Sequence, residues 1–550
     1  MNNVTVAIIG AGVGGIATAI SLQQKLGEYD YEIYDMAEGL GGTWKILTQA
    51  VRVMSPATGI RKLSSDLNPN WSQMFVGYAE IRQYWEKLAA KHMIGPHFRF
   101  RSEVVSAVWS EAEQQYTLTI RDVRTKETRQ VRARMVLTAV GVFHKPKWPE
   151  IQGHELFKGV SMHARAWNHK VDFSGKKVAV IGNGCSGTQM VPVISDDHTT
   201  NVIQFCRTPN WYLPRPQATI SESAKWVFRN VPGTARLFRW AIAAQLEMGF
   251  MSFKLGPFSS MLRRQKEQTS INYIKKMTPE KYHKDLIPNY PIGCKRIIFD
   301  PDYLQSLQRS NVDLEWDSIE RITENGILTK TGKFYDVDII CYATGFDVER
   351  SFTIDVTGRD GQTLANYYKE QGAPTAYMGT TTPGFPNWFT IFGPNTTTGH
   401  ASVIYSIEIQ IGYALQLIKP LLRGKAKSLV PRAEATRVYN EFIQDELSRT
   451  VWTSCVSWYR TGDSRQGKIM TWPGTLGYMW WLLRKPIWKD YESVGGEGWL
   501  RRRRFLTAAR SAVEILLMGA GVGTFVLMKL GKWEQARRLV IENARRLIAQ

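Results

Sequence analysis

A dinucleotide's pyrophosphate is held by backbone amides, and glycine lets a backbone come close enough to do it. The chain offers such a cradle twice. Gly10, Gly12 and Gly15 stand in the spacing G-x-G-x-x-G directly after an apolar, β-branched run at residues 4–9. Gly10 permits the tight turn, Gly12 the approach of backbone to phosphate, and Gly15 the packing of helix on strand. A second apolar run, residues 31–34, ends at Asp35, whose carboxylate can accept from ribose hydroxyls. The twin is Gly182-Asn183-Gly184-Cys185-Ser186-Gly187, with Thr188 and Gln189 opening the helical stretch that follows. Its next strand ends not at an acid but at Arg207 and Thr208. Arg207 has the same offset from Gly182 as Asp35 has from Gly10. A carboxylate suits a free 2′-hydroxyl and a guanidinium suits a 2′-phosphate. The pair predicts two different nucleotides: FAD or an NAD-like molecule at the first turn, NADPH at the second. Electrons would pass from NADPH to a flavin and on to an acceptor, by default O2.

Each cradle needs strand, turn, helix and strand in that order, so the expected fold class is α/β with two Rossmann-like dinucleotide-binding domains. Residues 1–165 and 336–490 are read as a discontinuous FAD domain, with residues 336–347 returning the chain to it. Residues 166–335 are read as the NADPH domain. An aromatic and basic stretch within it, residues 215–290, carries Trp226, Phe228, Phe238, Trp240, Phe250 and Phe253. It reads as a helical insertion, serving as a substrate wall, a membrane-facing surface or plain helix packing.

The chain has 550 residues, long enough for about three domains. Lys and Arg number 70 against 49 Asp and Glu, a net charge of +21 that would attract anionic cofactors, membranes or nucleic acid. No nucleic-acid-binding signature is present, so nucleic acid is not an expected partner. Five scattered cysteines, at 185, 206, 294, 341 and 455, give no C-x-x-C pair. They argue against a disulfide framework, a redox dithiol and a zinc site. Residues 4–9 read as a buried strand rather than a targeting segment, so the expected location is cytoplasmic. The tail, residues 491–550, has Arg501 to Arg504 ahead of an apolar run at 515–528, shorter than the roughly 20 residues a spanning helix needs. A helix within 512–530 is expected either to attach the chain to the cytosolic face of an internal membrane or to pack on the enzyme or a second subunit.

Between the two turns stand Phe157, Gly159, His163 and Trp167 in the pattern F-x-G-x-x-x-H-x-x-x-W, followed by Asn168. This resembles the signature of the flavoprotein monooxygenases of the Baeyer–Villiger type, which usually continue with Pro or Asp. The resemblance runs on through Gly41-Gly42-Thr43-Trp44, Arg207-Thr208-Pro209, Gly293-Cys294-Lys295-Arg296, Ala343-Thr344-Gly345-Phe346-Asp347, Gly393-Pro394-Asn395 and Ser457-Trp458-Tyr459. It covers residues 4–490 and looks most like fungal members that modify secondary metabolites. It implies that NADPH reduces FAD, that the flavin carries oxygen as a C4a-peroxide, and that a hydrophobic ketone becomes an ester or lactone. It implies Arg296 as the catalytic cation, with Lys295 at the NADP phosphate. Gly42, Thr43, Trp44 and Asp347 would contact cofactor, and Trp458 would cap the substrate. His163 is read as scaffolding in the linker rather than a proton shuttle. The alternatives are an N- or S-oxygenase or hydroxylase on the same scaffold, or a flavin-binding protein with impaired turnover.

The last alternative comes from residues 45–63, where the family carries Y-P-G-x-x-x-D and this chain has Ser55 in the aspartate slot. Read one base out of frame, codons allowed by residues 45–61 spell N-T-Y-P-G-x-x-x-D-V-P-S-H-W-Y-S. Two compensating frame errors, near Trp44–Lys45 and between Leu63 and Leu67, would account for the segment. Sequencing genomic DNA across this stretch is expected to find codons compatible with the shifted reading, and incompatible codons end the idea.

Overall fold

The computed structural model describes residues 2–43, 55–56, 63–143, 145–348, 354–462, 466–509 and 529. Trp44, most of the 45–63 segment and the apolar run at 515–528 lie outside the described residues. β1 (Asn2–Ile9) passes through Gly10 into α1 (Val13–Leu26), and β2 (Tyr31–Tyr34) follows. α1 stops at Gly27, whose φ of +66° lets its amide turn back onto the Gln23 and Leu22 carbonyls. β3 (Phe98–Arg99), β4 (Ser102–Ser110), β5 (Gln115–Asp122) and β6 (Thr128–Thr138) complete the early part of the first sheet. β1 lies between β2 and β6 and runs parallel to both. Its residues 6–9 are all buried, which is why the sequence shows an unbroken apolar run rather than an alternation. β4, β5 and β6 form an antiparallel meander, so the sheet is mixed.

The chain then enters a second sheet through β7 (Val160–His163). β8 (Lys177–Ile181), α2 (Gly187–Ile194), β9 (Asn201–Phe205), β10 (Val312–Glu315) and β11 (Ile339–Tyr342) follow. The strand order is β10-β9-β8-β11-β7, and every pair is parallel. Residues alternate between two cores. Val178 and Val180 pack with Met190, Val191 and Val202, whereas Ala179 and Ile181 pack with Ile322, Ile327 and Ile340. β7 and β11 both fall outside the 166–335 span read from the sequence, because β11 pairs with β8 and β7 pairs in turn with β11. β12 (Asp355–Thr357) and β13 (Trp388–Thr390) return to the first sheet, beside β4 and β6.

The insertion holds α3 (Glu222–Asn230), α4 (Thr234–Gly249) and α5 (Pro257–Met277). α6 (Val403–Leu422) and α7 (Leu476–Leu483) come later. Residues Met1–Lys419 and Val430–Pro486 form one compact unit, which contains both sheets and the insertion. Pro420–Leu429 and Ile487–Gln550 form another, in which the Arg504 guanidinium donates to the Tyr491 carbonyl at 2.6 Å. Among the described residues, no helix is long and apolar enough to cross a membrane.

One expectation is corrected. The scattered cysteines argued against disulfides, yet Cys294 and Cys455 are bonded, with Cα atoms 6.1 Å apart. A separation of 161 residues hides the pair from any spacing rule. Cys185, Cys206 and Cys341 are free. Thiol titration of the unfolded, unreduced protein is therefore expected to count three thiols, and five would refute the bond. In the loop-entropy picture, reduction should cost roughly 2–5 kcal/mol of stability, read as a lower Tm.

Candidate active site

The two turns are built alike. A Cβ on Gly15 would sit 1.9 Å from the Gly10 carbonyl oxygen, and one on Gly187 would sit 2.1 Å from that of Gly182. Any side chain at either position would push the helix off its strand. Gly10 and Gly182 have φ of +108° and +110°, and a Cβ on either would meet a carbonyl oxygen of the next strand segment, that of Ala139 or Ala343. Gly12 lies against Gly42, so the 41–43 segment rests on the first turn, helped by the Gly41 amide donating to Ala11 at 2.9 Å. At Gly184 a Cβ would meet nothing within 4 Å. That glycine faces open space, as a phosphate cradle requires.

Both turns open on one continuous cavity of about 1850 Å³ within the same compact unit. Gly10, Gly12, Asp35, Gly42 and Thr43 line one part of it. Asn183, Gly184, Cys185, Ser186, Thr188, Gln189, Arg207 and Thr208 line another, and Lys295, Arg296 and Trp458 also face it. Gly15 and Gly187 serve helix packing and do not line it. Asp347 does not line it either: its amide donates to the Lys145 carbonyl at 2.9 Å. Trp44 lies outside the described residues.

Asp35 holds the first turn. Its carboxylate accepts from the Ala11 amide at 2.6 Å and the Ala37 amide at 2.7 Å, leaving further lone pairs for a ligand. In the second turn, the Asn183 amide group donates to the Thr208 carbonyl at 2.8 Å, and Asn210 donates back to the Asn183 carbonyl at 2.8 Å. Arg207 and Thr208 are exposed beside it. The Lys295 ammonium donates to Thr208 Oγ1 at 2.8 Å and lies 4.8 Å from the Tyr290 ring centre. Burial, and then the nearby Arg207 charge, hold the Lys295 ammonium below its ordinary pKa. Neither cation has a carboxylate partner among the described residues. Two like charges are thus gathered at one edge of the cavity, a placement that an anion would relieve.

Arg296 donates to the Gly399 carbonyl at 2.8 Å and hydrogen-bonds the Tyr459 hydroxyl. Burial pushes the Tyr459 phenol up to about 12 against the opposing effect of Arg296, so it stays neutral. The Cys294–Cys455 bond ties the segment carrying Lys295 and Arg296 to the one carrying Trp458 and Tyr459. Trp458 packs on Tyr459 and Phe143, at 4.3 and 5.5 Å between ring centres.

The linker-motif residues are closely packed. His163 is fully buried in β7, and its Nδ1 accepts from the Arg165 amide at 3.0 Å. Burial chiefly, with the Arg165 charge, lowers its pKa to about 4 despite the opposing Gly345 carbonyl, so the ring is neutral. A Cβ on Gly159 would lie 2.4 Å from the Asp338 carbonyl oxygen and 2.5 Å from the Phe157 ring, and Trp167 stacks on Phe173 at 5.5 Å.

Sequence reasoning missed two groups. Arg165, two residues past His163, lines the cavity within reach of the Asp35 charge, and its place inside the recognised motif was the available signal. The other is a half-buried pair. His400 Nε2 lies 3.4 Å from Glu247 Oε1, with the imidazole packed on Phe250 at 4.9 Å. Burial raises the Glu247 carboxyl, but His400 and the Leu476 and Gly477 amides outweigh it and hold the group below its ordinary pKa. His400 directly follows Gly399, the residue whose carbonyl accepts from Arg296. Nothing in the sequence links positions so far apart.

Residues 7–211 match the family described as pyridine nucleotide-disulphide oxidoreductase. A Baeyer–Villiger monooxygenase of Pseudomonas aeruginosa is 34% identical over 473 residues, 85% of this chain and 87% of the relative. One from Streptomyces coelicolor is 33% identical over 86% of this chain and 89% of the relative. An FAD-binding monooxygenase of Aspergillus niger is 32% identical over 88% of this chain and 81% of the relative. The closed crystal structure of cyclohexanone monooxygenase superposes with a TM-score of 0.78 at 22% identity, covering 90% of this chain and 99% of that one, which speaks for the fold. With two matched glycine turns opening on one cavity and relatives of this identity over most of its length, the chain belongs to the Baeyer–Villiger and FAD-binding monooxygenases, which are flavin-dependent oxidoreductases.

Proposed function

We propose that the chain binds FAD at the Gly10 turn and NADPH at the Gly182 turn, and inserts one oxygen atom from O2 into a bulky hydrophobic ketone. The substrate class is a polycyclic or polyketide-like ketone of secondary metabolism. The balance is one NADPH oxidised and one proton consumed per O2, with one oxygen atom entering the ester or lactone and the other leaving as water. Bound FAD supplies the redox chemistry, accepting a hydride and handing on oxygen.

The chain's own residues supply binding and charge. Asp35 accepts from ribose hydroxyls, while Arg207, Thr208 and Lys295 take the 2′-phosphate. The observation that carries the reading is the Arg207–Lys295 pair, without a carboxylate partner among the described residues, at the turn where a carboxylate would have selected the unphosphorylated carrier. Arg296, held by Gly399 and Tyr459, offers a fixed positive charge to the oxyanion that develops on the substrate carbonyl as oxygen adds to its carbon. Leu246, Val348, Val403, Ile404, Ile407 and Trp458 give the cavity an apolar wall suited to a hydrophobic substrate. Trp458 caps it.

Two variants test the assignment. Arg207→Ala combined with Lys295→Ala should raise KM for NADPH about 10- to 100-fold, since charge-assisted hydrogen bonds are worth about 1.5–3 kcal/mol, and leave KM for NADH unchanged. Equal effects on both carriers refute the phosphate role. Arg296→Ala should keep its flavin and its reduction by NADPH but lose ester formation by roughly 100-fold or more. With labelled O2 the wild type should yield an ester carrying one labelled atom. A heteroatom oxide or hydroxylated product would favour the other oxygenases, and a flavin that NADPH cannot bleach anaerobically would mark a non-turning scaffold.

A further inference from the structure

α4 has two faces with different tasks. The inner one meets the site: Leu246 lines the cavity, Glu247 pairs with His400, and the Arg239 guanidinium donates to Glu408 at 2.8 Å. The outer one is apolar and bare. Leu237, Trp240 and Met248 are 70%, 66% and 70% exposed, at spacings that keep them on one stripe of the helix. Further apolar residues are exposed on the elements that meet the helix end. Lys266 of α5 donates to the Gly249 carbonyl at 3.4 Å and to Ser252 Oγ at 2.8 Å, and the same helix leaves Phe258 and Met261 each 58% exposed. At the same end the Glu247 carboxylate accepts from the Gly477 amide at 3.1 Å, bringing up α7 with exposed Trp480 and Trp481. The Arg484 guanidinium lies over the Trp481 ring at 4.6 Å. A bare surface of this composition is not ordinary solvent-facing structure.

Charge decides what covers it. Residues 222–277 carry ten Lys and Arg against three Asp and Glu, and three of the charged residues, Arg239, Glu247 and the buried Arg263, face inward. A second copy of the chain would bring two such cationic faces together, which repel. An anionic bilayer surface answers both properties: tryptophan, methionine and leucine enter the headgroup boundary while flanking arginines and lysines meet the lipid phosphates and carboxylates. We infer that the outer face of α4, with α5 and α7, docks the protein on anionic membranes. This surface is made of residues of α4, α5 and α7 and does not include the C-terminal apolar run. It stands whatever the substrate proves to be.

The test is sedimentation of the full-length, flavin-loaded protein with phosphatidylcholine vesicles, with and without roughly 30% phosphatidylserine. Binding is expected on the mixed vesicles only, with release at about 0.5 M salt. Leu237→Glu with Trp240→Glu should weaken it about tenfold or more while leaving Tm and flavin content unchanged. Because both positions are exposed, the fold does not depend on them. The inference is overturned by any of three results: no sedimentation of the wild type, sedimentation of the double variant equal to wild type, or a wild-type dimer in light scattering that the double variant abolishes. It also falls if replacing Arg501 to Arg504 by serine removes binding while the double variant keeps it, since the tail would then be the anchor.

Discussion

The absence of a Cβ at Gly15 and at Gly187 is the constraint on which both nucleotide sites depend. In each turn a carbonyl oxygen occupies the space that Cβ would take, about 2 Å from where it would be built. This contact lets the helix start directly above the strand end, so that its free amides face the cavity and can meet a pyrophosphate. A turn wide enough for alanine would tilt the helix and spread those amides. Everything further out, including Asp35, Arg207 and the two closing strands, is positioned relative to that contact.

Electrostatics then differentiates two cradles that sterics makes alike. At the first, a carboxylate is already committed to two backbone amides, so it is rigid before any ribose arrives. At the second, Arg207 and Lys295 stand near one another without a carboxylate partner among the described residues, and burial first, then the Arg207 charge, lowers the Lys295 ammonium. Preorganised repulsion of this kind costs stability in the free protein and is returned when an anion fills the gap. The same logic makes Arg207 and Asp35 poor substitutes for one another, despite their matched position.

Much of this was legible in the sequence because it is local. Strand, glycine turn, helix and strand-end residue all fall within one βαβ unit, and their spacing is fixed by backbone geometry. The linker motif was legible only through its resemblance to a family, since spacing alone does not say that His163 is a buried neutral acceptor. What escaped was long-range. The Cys294–Cys455 bond, the Glu247–His400 pair and the assignment of β7 and β11 to the second sheet join segments far apart in the chain. The aromatic insertion was recognised as helical, but its sidedness was not: helical spacing places Trp240 and Leu237 on one stripe without saying whether that stripe faces core or solvent.

The partners of Arg296 decide how firmly it is aimed. Among the described residues its partners are a carbonyl and a phenol, both neutral, and no carboxylate pairs with it. A guanidinium held by neutral acceptors keeps its full positive charge for an incoming anion, whereas one paired with an aspartate shares it. In the role proposed for it, Arg296 would offer that full charge to the oxyanion, while neutral hydrogen bonds fix it less tightly than a bidentate ion pair would. The Cys294–Cys455 bond tethers the segment that carries the arginine, and the Glu247–His400 pair holds the residue next to Gly399, whose carbonyl accepts from it. Positioning that an ion pair would provide at the side chain is here provided through the backbone on either side of it.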